Sequence, residues 1–499
     1  MTPEREFDLL VVGGGINGCG IARDAAGRGL RVALAEQGDF GGATSSASTK
    51  LIHGGLRYLE HYELRLVAEA LAEREVLLRL ASHIARPLRF VMPHAAGLRP
   101  AWMIRAGLWL YDRLGGRTSL PRSESVRLTP DGYGAGLAPQ FRHGHAYSDA
   151  WVDDARLVIL NLRSALAHGA ALMPRTRLIA ARRHGGRWLA TLEDVRSGVR
   201  FETAARVLVN AAGPWVGPVL EACGGSTAPA AVRLVKGSHI VVPRVHAGEH
   251  AYILQNDDRR VVFVIPYERA FSLIGTTDVA VSGMEEARAI GSEETRYLLA
   301  AVNRYLARPL GEPDVVWSYT GVRPLYDDGS SNPSETTRDY TLVVDERDGV
   351  AQLVVYGGKI TTYRRLAESA LARLSPWLKP RRPAWTHTEP LPGAVADRAA
   401  ALAALHAQYP ELPGTLLDTL FARHGALAAE VLGDARTPRA LGRDFGGGLC
   451  EREVGWFIAH EWAATPDDVL WRRTKAGLHM GTAQRAAFAA WFGALEKAA

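Results

Sequence analysis

The chain has 499 residues with a formal net charge of +6; 22% are charged and 47% hydrophobic. These values describe a globular protein of about two to four domains, and no run reaches the roughly 18 apolar residues that a membrane span needs. Cys19, Cys223 and Cys450 are odd in number and far apart, which excludes a disulfide scaffold or structural zinc site and fits a reducing compartment.

The opening MTPEREFDLL has no apolar core of signal-peptide length. Residues 7–12 (FDLLVV) form a short apolar run of buried-strand type and lead into GGGINGCG. That segment holds Gly13, Gly15 and Gly18 in the spacing G-x-G-x-x-G, with Asn17 where a helix over 17–28 begins. Gly29 stops the helix, and a second strand over 31–35 ends at Glu36. The first glycine allows a tight turn, the second lets backbone approach a pyrophosphate, and the third packs helix on strand. The helix N-terminus offers free N–H groups to phosphate, and Glu36 is placed to accept from an adenosine ribose. Strand, glycines, helix, strand and acid come in the order the motif requires, so a bound dinucleotide is expected. The motif leaves NAD and FAD both open.

Residues 38–50 (GDFGGATSSASTK) carry little bulk beyond Phe40. A solvated Ser/Thr loop would have this composition. A segment lying along a large polar cofactor would too, offering Thr44, Ser45 and Ser46 to its phosphates and ring edge. The neighbouring Lys50, His53, Gly54, Gly55, Arg57 and Tyr58 favour the second reading, and the missing plain helix–strand repeat favours FAD over NAD.

Residues 100–114 (PAWMIRAGLWLYDRL) are apolar over most of a helical circumference and too short to span a bilayer. Trp102 and Trp109, bordered by Arg99, Arg105, Arg113 and Arg117, suit a helix lying in a membrane interface; a buried helix fits the pattern equally. A helix over 153–168 and a strand over 206–210, running into a small-residue turn with Ala212 and Gly213, extend the cofactor unit. Residues 232–325 read as β-rich. Residues 341–356 form a hairpin around DERDG and lead to Gly357, Gly358 and Lys359, then to a helix beginning near Thr361. Proline-rich residues 376–393 read as a linker. The Ala/Leu-rich remainder is helical, with a capped helix start at Thr465-Pro466-Asp467-Asp468.

The segments GGGINGCGIARDAAGRGL, ATSSASTKLIHGGLRYLEH, LVNAAGPWV, GSHIVVP, GTTD, YTGVRPL, TRDYTL and GGKITTYRRLAESAL occur in that order. With them the chain resembles the FAD-dependent, aerobic glycerol-3-phosphate dehydrogenases of bacteria. The resemblance implies an α/β fold: an FAD-binding Rossmann-like domain (1–75 with 150–228 and 345–380), an antiparallel β-sheet substrate and membrane-facing domain (76–149 with 229–344), and a C-terminal helical domain (394–499). This is the D-amino-acid-oxidase-like arrangement. It also implies oxidation of sn-glycerol 3-phosphate to dihydroxyacetone phosphate, noncovalent FAD, electrons passed to ubiquinone, and a peripheral enzyme on the cytoplasmic face of the inner membrane. A homodimer is allowed; nucleic acid and metal are not expected.

The resemblance places Arg57, Arg323 and Arg338 near the substrate's phosphate or glyceryl tail, with Tyr58 and Lys359 beside them. Arginine suits that task because its planar fork binds phosphate bidentately. His53, His239 and Lys359 are candidates for the proton-accepting group and stand with Arg323 as the expected catalytic set. FAD contacts are expected from Gly13, Gly15, Asn17, Gly18, Glu36, Thr44, Ser45, Ser46, Lys50, His53, Gly54, Gly55, Ala212, Gly213, Gly358, Lys359 and Thr361. Three other functions stay in view: a glycerol-3-phosphate oxidase using oxygen, a same-fold oxidase of amino or 2-hydroxy acids, and a non-catalytic flavoprotein. An acid oxidase needs one strong carboxylate-binding arginine, whereas several suit a dianionic phosphate better.

Overall fold

Strand β1 (Glu6–Val12) is apolar without alternation because both of its faces are buried. Leu9 and Val11 pack under helices, while Leu10 and Val12 pack against a three-stranded extension of the same sheet. The computed structural model describes residues 6–95, 100–225, 232–258, 260–326 and 339–498. Helix α1 (Ile16–Gly27) follows β1 and is buried on nearly every side. Its small residues allow this: a Cβ on Gly20 would meet the Tyr363 ring at 2.7 Å, and one on Gly27 would meet Trp385 at 2.0 Å.

The chain continues through β2 (Val32–Ala35), β3 (Leu51–Ile52), α2 (Leu64–Leu80), β4 (Ala85–Pro93), α3 (Ala101–Leu114), β5 (Glu124–Arg127), β6 (His143–Val152) and α4 (Asp154–Ala167). Asp153 caps α4, accepting from Arg156 N at 3.1 Å. Then come β7 (Ala171–Met173), β8 (Thr176–His184), β9 (Arg187–Asp194), β10 (Arg200–Asn210) and α5 (Val216–Ala222). After these follow β11 (Val232–Pro243), β12 (Ala251–Gln255), β13 (Val261–Tyr267), β14 (Phe271–Gly275), β15 (Val279–Val281), α6 (Ser292–Asn303), β16 (Trp317–Tyr326), β17 (Thr341–Arg347), β18 (Val350–Tyr356) and α7 (Tyr363–Arg373).

The first sheet runs β17-β18-β10-β1-β2-β7, with β9 on β10 and β8 on β9. Its strands from β18 to β7 are parallel; β17, β8 and β9 are antiparallel additions. Strand β17 begins at Thr341, so the boundary expected at 345 falls inside it. The second sheet runs β15-β11-β14-β13-β12-β4-β6-β3, with β16 on β11 and β5 on β6. It is antiparallel, as expected, except where β12 lies parallel to β4. One face packs on α6 through Ile240, Val242, Leu298 and Val302. The other packs on α2 and α3 through Phe90, Val241, Val67, Leu108 and Tyr111. Helix α6 interrupts the stretch expected to be β-rich.

Residues 376–393 contain no helix or strand but are tied down, which corrects the linker reading. Trp385 Nε1 donates to Asp24 O at 3.1 Å, Arg23 donates to Glu389 O at 2.9 Å, and Leu391 N donates to Leu80 O at 2.8 Å. The C-terminal helices dock through buried ion pairs, chiefly Arg156 on α4 with Glu461. The start at Thr465 forms as expected, then widens into a π-helix over Asp468–Arg473. The wider turn lets the consecutive Arg472 and Arg473 both reach Asp39, each at 2.6 Å.

Candidate active site

The glycine-rich turn is built by close backbone approaches at two of its three glycines. Gly13 has φ +111°, and a Cβ there would strike Ala211 O at 2.5 Å. A Cβ on Gly18 would sit 2.0 Å from Gly13 O, so helix and strand approach as closely as backbone allows. Gly15 has open space beyond Ser45 Oγ, at 3.1 Å from its missing Cβ. Of the three glycines it is the least obstructed. Glu36 accepts from Gly14 N and Gly38 N, each at 2.7 Å. A carboxylate has about four lone-pair positions, so ribose hydroxyls still have somewhere to bind. Burial pushes the Glu36 carboxyl up, and the two backbone N–H groups oppose that.

Asn17 Nδ2 donates to Gly357 O at 3.0 Å, and its buried Oδ1 has no hydrogen-bond partner among the described residues. Gly357 and Gly358 both have positive φ, and a Cβ on Gly358 would meet Asn17 Nδ2 at 2.8 Å. Gly213 faces Pro324 at 4.0 Å from its missing Cβ, beside Ala212. An orphaned amide oxygen, an open glycine and the N-terminus of α1 form a cradle that fits a dinucleotide such as FAD.

The Ser/Thr segment divides its work differently from the expectation. Ser45 Oγ accepts from Ile16 N at 2.9 Å, at the mouth of α1. Thr44 Oγ1 donates to Val322 O at 2.6 Å and Ser46 Oγ to Ala43 O at 3.2 Å, which binds the segment to β16 and to itself. Lys50 is a correction. It is fully buried, and its Nζ lies 2.7 Å from Asp154 Oδ1 and 3.2 Å from Ser46 O, so its charge is used inside the protein. At Gly54 a Cβ would meet Leu71 and Tyr111 Oη at 2.8 Å, so packing requires a glycine there. Gly55, at φ +78°, makes room for the Tyr58 ring, which a Cβ would meet at 2.2 Å.

His53 N donates to Thr361 Oγ1 at 3.3 Å, and the His53 ring meets Phe263 edge-on with centroids 6.4 Å apart. Lys359 Nζ lies 3.6 Å from the Tyr58 ring centroid. These four expected residues therefore gather on one side of the site. Arg338 lies outside the described residues, as does the side chain of Arg57.

The second sheet supplies the other side. Side chains alternate along β11: Ser238 turns to α6, where its Oγ donates to Glu294 at 2.6 Å, while Gly237 and His239 turn to the opposite face. His239 Nε2 lies 3.0 Å from Thr49 Oγ1, and its ring stacks on Tyr319 at 4.8 Å. Burial, followed by the charges of Arg323 and Lys50, holds the imidazole well below its ordinary pKa. The neutral form of the ring is thereby favoured. Arg323 on β16 pairs with Asp278 and reaches Thr276 Oγ1 at 3.4 Å.

Three strand glycines make this arrangement possible. A Cβ on Gly237 would meet Arg323 Nη2 at 2.7 Å, one on Gly275 would meet His239 Cδ2 at 2.1 Å, and one on Gly321 would meet Ala47 O at 2.8 Å. Gly237 stands out in the sequence only as the neighbour of His239, and nothing singles out Gly275, Asp278 or Gly321 within GTTD and YTGVRPL. Glycine inside a strand, where it is otherwise unfavourable, was the available signal.

The outer face of α3 departs from a buried helix. Leu108 and Tyr111 are buried, but Trp102, Met103 and Trp109 are exposed, Trp102 by 70%. The Arg113 guanidinium covers the Trp109 ring at 3.9 Å.

A family model described as FAD dependent oxidoreductase matches residues 8–364, and one described as the C-terminal domain of alpha-glycerophosphate oxidase matches 384–497. Aerobic glycerol-3-phosphate dehydrogenase of Escherichia coli (strain K12) is 50% identical over 487 residues, 97% of each chain. D-erythritol 1-phosphate dehydrogenase of Brucella abortus (strain 2308) is 50% identical over 495 residues, 99% of each chain. Among solved structures, glycerol-3-phosphate dehydrogenase from Bacillus halodurans complexed with FAD has a TM-score of 0.73 at 24% identity, covering 99% of this chain and 94% of that one. That likeness is one of fold.

Proposed function

Since the chain belongs to the FAD dependent oxidoreductase family, we propose that it oxidises sn-glycerol 3-phosphate to dihydroxyacetone phosphate and passes the electrons to ubiquinone. FAD, when bound, supplies the hydride acceptor. Asn17, Gly15, Ser45 and the α1 N-terminus would hold it. The observation that carries the reading is the pairing, across β11 and β16, of a neutral buried imidazole with a fixed guanidinium, beside a loop rich in cationic and phenolic groups. Half-identity to the Escherichia coli dehydrogenase over nearly the full chain supports the substrate.

In this reading His239 accepts the hydroxyl proton at Nδ1, the nitrogen that its Thr49 contact leaves without a hydrogen bond among the described residues. Arg323 lies close enough to depress the imidazole's pKa, so it can also offset charge growing on the substrate oxygen. Arg57, Tyr58, Lys359 and Arg338 take the phosphate, and His53 lines the same loop. The exposed Trp102, Met103 and Trp109 rest on an anionic membrane at the cytoplasmic face of the inner membrane. No helix among the described residues is long and apolar enough to cross a membrane, which agrees with a peripheral contact.

A second reading has its own observation. The D-erythritol 1-phosphate dehydrogenase is as similar over slightly more of the chain, so a longer polyol phosphate is the rival substrate. One anaerobic experiment separates the readings. The purified flavoprotein is mixed with sn-glycerol 3-phosphate or D-erythritol 1-phosphate, the visible flavin absorbance is followed, and a ubiquinone analogue is then added. Bleaching by the first alone, reversed by quinone, is expected. Faster bleaching by the four-carbon phosphate would replace the substrate, recovery only with oxygen would make it an oxidase, and no bleaching by either would sink both.

A further inference from the structure

The segment from His53 to Tyr58 contains Gly54 and Gly55 in succession, which leaves its backbone little intrinsic stiffness. What fixes it comes from outside. The Gly54 N–H donates to the Tyr111 hydroxyl on α3 at 2.9 Å. That hydroxyl in turn donates to the Asp149 carboxylate on β6, at 2.8 Å to Oδ2 and 3.0 Å to Oδ1. Arg74 on α2 anchors the far side, with Nη1 2.8 Å from Asp149 Oδ1 and 2.9 Å from Ser148 O. Asp149 accepts the phenolic hydrogen bond, so an oxygen lone pair is turned toward Gly54.

All three side chains are buried, where such a hydrogen bond is not exchanged for one to water. The fit is also steric: with any side chain at Gly54, a Cβ would press on Tyr111 Oη and Leu71, each 2.8 Å away. The clamp joins a loop of substrate-site residues to the helix whose outer face bears Trp102 and Trp109.

We propose that Tyr111 is a positioning residue for the substrate site: through Gly54 it holds the His53–Tyr58 segment in register with helix α3. The inference rests on the reading above, in which that segment binds the substrate's phosphate. Tyr111 touches neither substrate nor cofactor and acts only through the backbone it fixes.

The test is Tyr111→Phe in the flavin-loaded enzyme, which removes one oxygen and keeps the ring. Loss of one buried hydrogen bond to the loop raises KM for sn-glycerol 3-phosphate about tenfold and leaves kcat within about twofold. Asp149→Asn keeps the Tyr111 hydroxyl with a weaker acceptor and raises KM by about threefold. In whichever variant retains its flavin, an unchanged KM, or a fall in kcat alone, overturns the proposal. If the wild-type flavin is reduced by neither polyol phosphate, the substrate reading has failed, and the clamp is judged by hydrogen exchange. Peptides covering residues 51–59 then exchange faster in Tyr111→Phe while peptides from α3 do not; equal exchange in both proteins rejects it.

Discussion

Gly275 leaves the space that His239 occupies: a Cβ at Gly275 would stand 2.1 Å from His239 Cδ2 and 2.7 Å from Nε2. The two residues face each other across β11 and β14, so a side chain on one displaces the ring of the other. Gly275→Ala should therefore mimic loss of the imidazole. His239→Asn is expected to slow flavin reduction by about 10² to 10⁴, the range for a removed general base. Gly275→Ala should slow it by about tenfold or more through misplacement. In the His239→Asn background the glycine change should add almost nothing, because the two act on one group. Stopped-flow reduction of the four proteins measures this directly, and additive losses would show that Gly275 matters for something other than His239.

Lys50 and Asp154 form the hub of the Ser/Thr segment. The Lys50 backbone is left-handed at φ +60°, and Asp154 Oδ2 also accepts from Ser48 N at 3.1 Å and Ser48 Oγ at 2.8 Å. Removing the carboxylate strands a buried ammonium, which costs about 3–5 kcal/mol. Asp154→Ala should lower the denaturation midpoint of the flavoprotein accordingly. The double change Lys50→Met with Asp154→Leu should recover much of the loss, since an apolar pair leaves no uncompensated charge. Urea unfolding curves decide it: a loss below about 1 kcal/mol in the single variant would mean that water reaches Lys50.

Much of the cofactor unit was legible because its signals are local. FDLLVV, the three glycines and the DERDG hairpin each determine their structure within a few residues, and all appear where read. The substrate side was legible only in part. His239 and Arg323 are candidates in the sequence, but the contacts that hold them come from partners far along the chain: Thr49 is 190 residues from His239 and Asp278 is 45 from Arg323. Lys50 looked like a cofactor ligand because nothing nearby reveals Asp154, 104 residues on. Helix α6 was hidden between strands, although Leu298 and Val302 carry its spacing and Glu294 caps it by accepting from Gly291 N at 3.0 Å.

Acid should loosen the C-terminal helices. Burial pushes the Glu461 carboxyl up, but the Arg156 guanidinium outweighs it and the group is held at about 2, against an ordinary 4.5. A depressed carboxyl contributes stability that is present above its unfolded pKa and lost as pH falls through the folded one. The window is therefore from about pH 4.5 down to about 2, and the difference corresponds to roughly 3 kcal/mol. Guanidinium midpoints across pH 2.5–5 should fall with acid in the wild type. Glu461→Gln should be weaker throughout and have a shallower slope over that window, the rest coming chiefly from Asp468, also held at about 2; a parallel slope in both would assign the acid sensitivity to other carboxylates.

The proposed membrane contact predicts a graded loss. Trp102 and Trp109 are exposed by 70% and 51% on the face of α3 turned away from Leu108 and Tyr111. Two tryptophans entering an interface, helped by Arg105 and Arg113, should dominate binding, because exposed aromatic area is where such helices gain most. Trp102→Ser with Trp109→Ser should weaken sedimentation with anionic vesicles by about tenfold or more. Arg113→Gln should weaken it by a few-fold, and more so at low salt, since screening removes its share as ionic strength rises. Because neither change touches the Tyr111 face, flavin content should hold steady in both proteins. Undiminished vesicle binding by the double tryptophan variant would place the membrane contact elsewhere on the molecule.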